Sequence, residues 1–567
     1  MAIERQTPDP VNQMPEEVDM TTTQDTDELD SEIIEVLEGL QEADVEIQED
    51  GSALLGPAPE MQMTSEFDEN LADVISESEL ARIYIDLTAS IEDDKSSRED
   101  WEKTYTDGLK YLGMKFDETR SEPFEGASGV THPLLGEAVT QFQAQAYKEL
   151  LPAGGPVKTQ VVGAYNAAVE EQAQRVREFM NYEIVHVMEE YDEDLDQMLF
   201  YLPLAGSAFK KVYYDENLQR PVSKFVAPED LIVPYYTTDL ESCPRITHVI
   251  KMPENDVRKL QAIGFYKKFD MQAGEEASDY SSLDTEKEKL EGMEPSSDSD
   301  EVCVLYEVHC NLDLEGFEDI GQDGEETGVK LPYIVTIDSN TENVLSIRRN
   351  FNPESPMKTK IEYFVHFKFL PGLGFYGFGL THMIGGLSKA STSIDAGTLS
   401  NLPAGFKTRG IRIRNEDEPI QPGEFRDVDA PAGSLREAIQ PLPFKEPSGT
   451  LLNLLGLLVQ SGQRFASIAE IAVGEGNSQA PVGTTLALME KSTKVLSAIH
   501  KRLHNAQKKE FGLLADIFAQ SLPPVYPYQV SGGQNEIKQS DFDGRIDIYP
   551  VSNPDIFSTS QRIVMAQ

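Results

Sequence analysis

Basic charge is what this chain has least of. Its 567 residues carry 48 Lys and Arg against 99 Asp and Glu, a net charge of -51. The average surface therefore repels nucleic acid, and any contact with DNA has to be local or transient. Cysteine is nearly absent. Cys243, Cys303 and Cys310 form no CxxC pair, which excludes a disulfide framework and fits a reducing compartment. Cys303, His309 and Cys310 raise a metal reading, but "VCVLYEVHCNL" reads as a plain strand and no fourth ligand is evident. Long apolar runs are missing too. The greasiest stretch, Leu451 to Val459, is about half of the ~20 residues a membrane span needs. The opening "MAIERQTPDP" has neither the basic patch nor the apolar run of a secretory signal. A soluble protein without a membrane partner is the expectation. No Gly-x-Ser-x-Gly elbow and no His-Glu-x-x-His occurs. Nothing in the residues demands catalysis, a cofactor or a metal.

What is present is a long, segmented chain. Cores rarely grow beyond ~250 to 300 residues, so several sub-domains are expected. Residues 1 to 70 hold 21 acidic residues against one base, Arg5. Such a stretch buries too little apolar surface to offset chain entropy, so residues 1–75 read as an acidic tail. Helical spacing follows. Trp101, Tyr105, Leu109 and Leu112 share a face, with Ser97 as the expected N-cap; "HPLLGEAVTQFQAQAYKELLP" starts at Pro133 and ends at Pro152. Val169, Ala173, Val176, Met180, Ile184, Val187, Tyr191, Leu195 and Met198 read as one longer helix.

Strands then take over. "SAFKKVYYD" and "PVSKFVAPEDLIVP" flank "ENLQR" as a hairpin. The stretch 275–301, rich in Ser, Asp and Glu, reads as a solvated low-complexity insertion. "EVCVLYEVHCNL", "PYIVTID", "VLSIRRN" and "KIEYFVHFKFL" supply four more strands. After Gly377 the pattern is helical and rich in small residues, then strand and loop with Pro419, Pro422, Pro431, Pro441, Pro443 and Pro447. A helix begins near Ser448, "VGEGNSQAPVGTT" interrupts it, and a long helix runs through Leu488, Leu496, Leu503, Leu514 and Phe518.

Two phosphate-loop patterns require a decision. "PGLGFYGFG" contains Gly-x-Gly-x-x-Gly at Gly372, Gly374 and Gly377, and Asp395 follows at the distance of a ribose ligand. The intervening Leu373, Phe375, Tyr376 and Phe378 would crowd a phosphate, and Asp395 falls inside a helix-like stretch instead of after a second strand. The alternative is a glycine-rich corner between a β unit and a helix, its aromatics packed against neighbours. In "GEGNSQAPVGTT", Thr484 stands where a phosphate loop needs its lysine.

The phrases "EPFEGASGVTHPLLGEAVTQF", "PGLGFYGFGLTHMIGGL", "DAGTLSNLPAGFKTRGIRIR" and "QAPVGTTLALMEK", in this order of elements, resemble the portal, or head-to-tail connector, proteins of tailed bacteriophages, and short-tailed phage portals in particular. The resemblance runs from about residue 95 to the end and leaves out the acidic tail. It implies an α+β fold assembled as a ring: a wing over 76–375, a first stem helix over 376–400, a clip over 401–447, a second stem helix over 448–472 and a tunnel loop over 473–483. A long helix over 484–522 returns to the wing, and 523–567 supply wing strands and the start of a C-terminal region. It also implies a homo-oligomer, a dodecamer, at the capsid vertex of the virion. Double-stranded DNA would pass through it during packaging and ejection, with the terminase large subunit, the major capsid protein and a head-completion or tail adaptor as partners.

By that resemblance the tunnel loop offers Glu475, Asn477, Ser478 and Gln479, short polar groups that let DNA slide. The clip carries the basic stretch Lys407, Arg409, Arg412 and Arg414, which reads equally as a docking face or as a strand edge protected by charge. Leu451, Leu454, Leu455, Leu458, Phe465 and Ile468 pack either between subunits or within one core. Lys491, Lys494, Lys501 and Arg502 either line the bore or pair with acids. The alternatives are a nucleotide- or dinucleotide-binding enzyme using Gly372 to Gly377, and a phage tail-tube or adaptor protein.

Overall fold

The computed structural model describes residues 67–551 apart from 114–130, 163–165, 270–281, 293–301, 322–325, 407–410, 413–439, 442–448, 466–481, 531–532 and a few single positions, together with short strands at 45–47 and 53–55. Side chains in 396–406, 464–465 and 482–497 are outside this description. The chain is mixed α and β and divides into two compact units. One comprises 1–64 and 313–328. In it β1 (Val45–Ile47) pairs antiparallel with β2 (Ala53–Leu55), and a tight turn at 314–317 precedes an Asp319–Thr327 bond.

The other unit, 65–312 and 329–567, holds the rest. Ser76 accepts the amide of Glu79 and so caps α1 (Glu77–Ser97), which buries Leu80, Ile83, Leu87 and Ile91 at helical spacing. Ser97 is the last residue of that helix, not the cap of the next. Its hydroxyl donates to the Asp94 carbonyl at 2.7 Å, and the non-helical Arg98 opens α2 (Glu99–Lys110) without a side-chain cap. The acids Glu99, Asp100 and Glu102 offset the exposed amides of that first turn. α3 (Leu134–Leu150) follows Pro133 as expected. After β3 (Val157–Val161), the helix expected through Met198 divides into α4 (Ala167–Tyr182), a π-helical turn at Glu183–Val187 and α5 (Glu190–Ala205). The wider turn re-phases the apolar stripe, so that α4 and α5 pack on different neighbours. Gly206, at φ +85, ends α5 in the left-handed region.

β4 (Ser207–Asp215) and β5 (Arg220–Val226) form the expected hairpin. β6 (Leu231–Ile232), β7 (Arg245–Pro253), β8 (Val302–Leu312), β9 (Leu331–Asp338) and β10 (Val344–Arg349) form a five-stranded antiparallel sheet in the order β10-β9-β8-β7-β6. α6 (Glu254–Ala262) lies between β7 and β8 in the chain. So does α7 (Ser282–Glu291), which corrects the reading of 275–301 as solvated throughout: Leu283 is buried and Lys287 pairs with Glu229. β11 (Phe364–Lys368) joins β4, not the larger sheet, with Phe367 opposite Ala208. The open edge at β10 is met by Asn70, whose amide donates to Leu345 O at 3.1 Å and whose oxygen accepts Ile347 N at 3.0 Å.

α8 (Leu380–Phe406) continues past the expected end at 400. β12 (Ile411–Arg412) pairs with β13 (Gln440–Pro441), and α9 (Gly449–Phe465) returns beside α8. α10 (Val482–Ser521) is 40 residues long, about 60 Å at 1.5 Å per residue. β14 (Val525–Val530) and β15 (Gly533–Lys538) make a hairpin, and β16 (Ile546–Pro550) pairs back onto β3. The main core gathers α2 to α5, β4, β11, the start of α8 and the second half of α10. Within it the Lys210–Glu510 ion pair is 0% exposed on both sides at 3.0 Å, with Ser223 donating to the same carboxylate at 2.6 Å and the Tyr191 ring under the ammonium.

Candidate functional site: the glycine corner and the helices that leave it

The segment from Leu370 to Gly379 carries the chain from β11 into α8 and is folded against the end of α5. Phe378 donates to Leu370 O at 2.9 Å, which closes the corner on itself. A Cβ at Gly377 would run into the carbonyls of Gly206 and Leu370, and one at Gly379 into those of Pro203 and Leu204. Two backbones therefore meet where only hydrogen fits, which is the reason for glycine at these places. A Cβ at Gly374, the middle glycine of the motif, would meet nothing within 4 Å, and the residue is exposed.

The amides at the helix end of the corner are already bonded. Gly377 N donates to Ser207 Oγ at 2.8 Å, Gly379 N to His382 Nδ1 at 3.2 Å, and Phe378 N to a carbonyl. Phe375 stacks on Phe209 and packs on His366, while Tyr376 stacks on Trp101 at 4.4 Å and donates to Leu231 O. Every strand pairing among the described residues is antiparallel, whereas a dinucleotide fold needs a parallel βαβ unit. Asp395 lies within α8. The geometry is a packed corner whose aromatic side chains are seated against neighbours and whose last three amides, at 377 to 379, are already bonded within the chain.

Arg98, which no sequence pattern singled out, ties this corner down. Its guanidinium donates to the carbonyls of Glu229 and Leu231 and to Tyr376 Oη at 3.1 Å, and pairs with Glu102 at 2.8 Å. The break between α1 and α2, the β5–β6 connection and the glycine corner thus share one buried cation. Burial, partly countered by Arg98, holds the Tyr376 phenol above its ordinary range. His366 Nε2 lies 3.0 Å from Ser207 Oγ. This is not a nucleophile and base: Ser207 is 0% exposed, its oxygen already accepts Gly377 N–H, and burial drives His366 well below the usual imidazole range. The second histidine cluster is equally structural. Glu307 accepts both contacts from Lys211 at 2.7 Å and meets His309 at 2.8 Å. Cys303 and Cys310 are buried, fall seven positions apart and so point to opposite faces of β8, and no metal-binding group occurs among the described residues.

Beyond the corner, α8 and α9 lie side by side. Leu455 and Leu458 of α9 are half-buried, and a side chain at Gly462 would strike Leu134 of α3, so this line of residues turns inward. Leu451 and Leu454 are 39% and 44% exposed. The most exposed are two that sequence reasoning passed over, Leu452 at 67% and Leu457 at 62%. At 100° per residue, Leu454 and Leu457 lie to one side of the inward line and Leu452 to the other. The side chains of Phe465 and Ile468 lie outside the description, as do Glu475, Asn477, Ser478 and Gln479 and the basic residues Lys407, Arg409 and Arg414. Arg412 is placed by its backbone in β12. Of the four cations of α10, Lys501 is exposed and Arg502 donates to Phe369 O at 3.1 Å within its own chain. Lys491 and Lys494 have no described side chains. No helix among the described residues is long and apolar enough to cross a membrane. No protein-family model and no curated protein matches this chain.

Proposed function

We propose that this chain is a subunit of a phage portal: a ring-shaped channel at the capsid vertex through which double-stranded DNA is packaged and ejected. Terminase and a tail adaptor would dock on its projecting end. The observation that carries the reading is the leucine display of α9. Four leucines remain 39% to 67% exposed, Leu451 at the start of the inward line and Leu452, Leu454 and Leu457 off it. At about 1.5 to 3 kcal/mol for a fully buried leucine, they represent roughly 3 to 6 kcal/mol of unrealised burial per subunit.

Their distribution favours a ring over a two-fold dimer. An isologous contact uses one patch twice, whereas a head-to-tail contact needs two different patches that meet each other around a closed circle. Leu454 with Leu457 on one flank and Leu452 on the other supply two such patches. The surrounding order supports the same reading: a close-packed glycine corner, paired helices α8 and α9 with the β12–β13 ladder between them in the chain, and a long α10 whose Leu503, Phe511, Leu514 and Phe518 return to the core. A net charge of -51 suits a conduit that must not retain its polyanion.

Mass photometry of the purified chain tests this. The expected main species is a closed assembly of about a dozen 63.1 kDa subunits, with a central opening in electron micrographs. Leu452→Asp and Leu457→Asp should each reduce it to small species while leaving the subunit folded. A wild-type monomer at every concentration refutes the reading. In labelled virions, location at the capsid vertex and not along the tail separates a portal from a tail-tube protein.

A further inference from the structure

The π-helical turn at Glu183–Val187 is a widened turn, a form that is uncommon and costs helix stability unless something is gained. The helices it joins share the main core but rest on different neighbours within it. α4 lies on β3 and near β15, with Phe179 edge-on to Phe518, Tyr528 and Phe542. α5 lies on α3, β4 and β5. At the first position of the turn stands a carboxylic acid, Glu183, with a relative exposure of 4%. No hydrogen bond or ion pair reaches that carboxyl among the described residues.

The groups around it do not compensate. Arg220 of β5 is the cation that acts on it, but its two terminal nitrogens are held by Glu190 of α5, each at 2.7 Å. The other titratable neighbours are Tyr182 of α4, His186 of the turn itself, and Tyr526 and Tyr528 of β14. A carboxyl this buried and without a bonding partner favours its neutral form.

We propose that the turn at Glu183–Val187 is a proton-gated hinge, closed while the Glu183 carboxyl is protonated and loosened between α4 and α5 when it ionises. The inference is independent of the channel reading. Burial pushes Glu183 up to about 7, only partly countered by Arg220. The sign follows. In an open turn the carboxyl is hydrated and returns to its ordinary 4.5, so opening releases a proton and becomes easier as pH rises from about 4.5 through about 7, then levels off. Over pH 6 to 8 the linkage amounts to an increase of about tenfold in the opening equilibrium.

Hydrogen exchange read by mass spectrometry on the full chain, in peptides covering 180–190 and corrected for intrinsic exchange, tests the proposal. Wild type should lose about tenfold of local protection between pH 6 and pH 8. Glu183→Gln, neutral and of the same shape, should hold its protection at both values. His186→Gln should keep the wild-type dependence. Constant wild-type protection overturns the proposal even if Glu183→Gln fails to fold, and so does a dependence that survives in Glu183→Gln or vanishes in His186→Gln.

Discussion

Alanine substitution along the glycine motif should separate its three members in an order that a phosphate loop would not produce. A Cβ at Gly377 would overlap the Gly206 carbonyl and stand 2.6 Å from that of Leu370, where ordinary contact begins at 3.4 Å. At least one carbonyl must then retreat by about 0.8 Å. Both are committed, Gly206 O accepting Phe369 N at 3.0 Å and Leu370 O accepting Phe378 N at 2.9 Å. Overpacking costs about 1 to 3 kcal/mol and each weakened hydrogen bond about 1 more, so Gly377→Ala should cost roughly 3 to 5 kcal/mol. Gly372→Ala, directed at the Tyr376 carbonyl, should cost a similar amount. Gly374→Ala meets nothing within 4 Å and should fall within about 0.5 kcal/mol of wild type. The chain supplies its own reporter, since Trp101 is its one tryptophan and stacks on Tyr376. Denaturant titrations read by tryptophan emission should show an early transition at the corner for Gly372→Ala and Gly377→Ala. A Gly374→Ala variant as unstable as Gly377→Ala, or a silent Gly377→Ala, refutes the packing argument.

Breaking the buried Lys210–Glu510 pair from one side, as in Lys210→Met or Glu510→Leu, should cost about 3 to 5 kcal/mol, because the remaining charge is left in the core. The double variant should recover most of that loss in a denaturation cycle. Arg98→Lys should shift Trp101 emission and lower the unfolding midpoint nearly as much as Arg98→Ala, since an ammonium cannot span the carbonyls of Glu229 and Leu231 together with Tyr376. Glu307 is desolvated, yet Lys211 and His309 beside it hold it well below its ordinary 4.5. A depressed carboxyl stabilises the fold above its unfolded value and loses that share as pH falls, so wild type should weaken below about pH 4.5 and Glu307→Gln should show a flatter acid limb.

Much of the order of elements was legible because glycine, proline and small residues punctuate it. The hairpin at 207–226, the strands at 302–349 and the succession of α8, β12–β13, α9 and α10 follow alternation and breakers. The π turn was not legible: Val176, Met180, Ile184 and Val187 keep their three-and-four rhythm across it, and a widened turn changes phase without interrupting the pattern. The partner of β11 was hidden because an alternating strand names its buried face, not its neighbour, and β4 lies about 150 residues away. α7 was masked by its acids, although Leu283 and Lys287 are its anchors. At the candidate site the sequence marked the glycines but not Arg98, whose role arises only from the carbonyls of Glu229 and Leu231, the Tyr376 hydroxyl and the Glu102 carboxylate converging on it. The leucines of α9 could be named as a set. Which of them face inward depends on α8 and α3, and that left Leu452 and Leu457 unsuspected.

Asn70 does the work of a missing strand. One side-chain amide occupies both a carbonyl and an amide of β10, and Arg349 holds the backbone just before it by donating to Phe67 O at 2.9 Å. Cutting the chain after residue 66 would keep the contacting residues, Phe67 and Asn70. Trimming five residues more would expose the rim of a five-stranded sheet, ready to zip onto the same rim of another molecule. A protein shortened past Asn70 would then clump for a reason unrelated to its leucines.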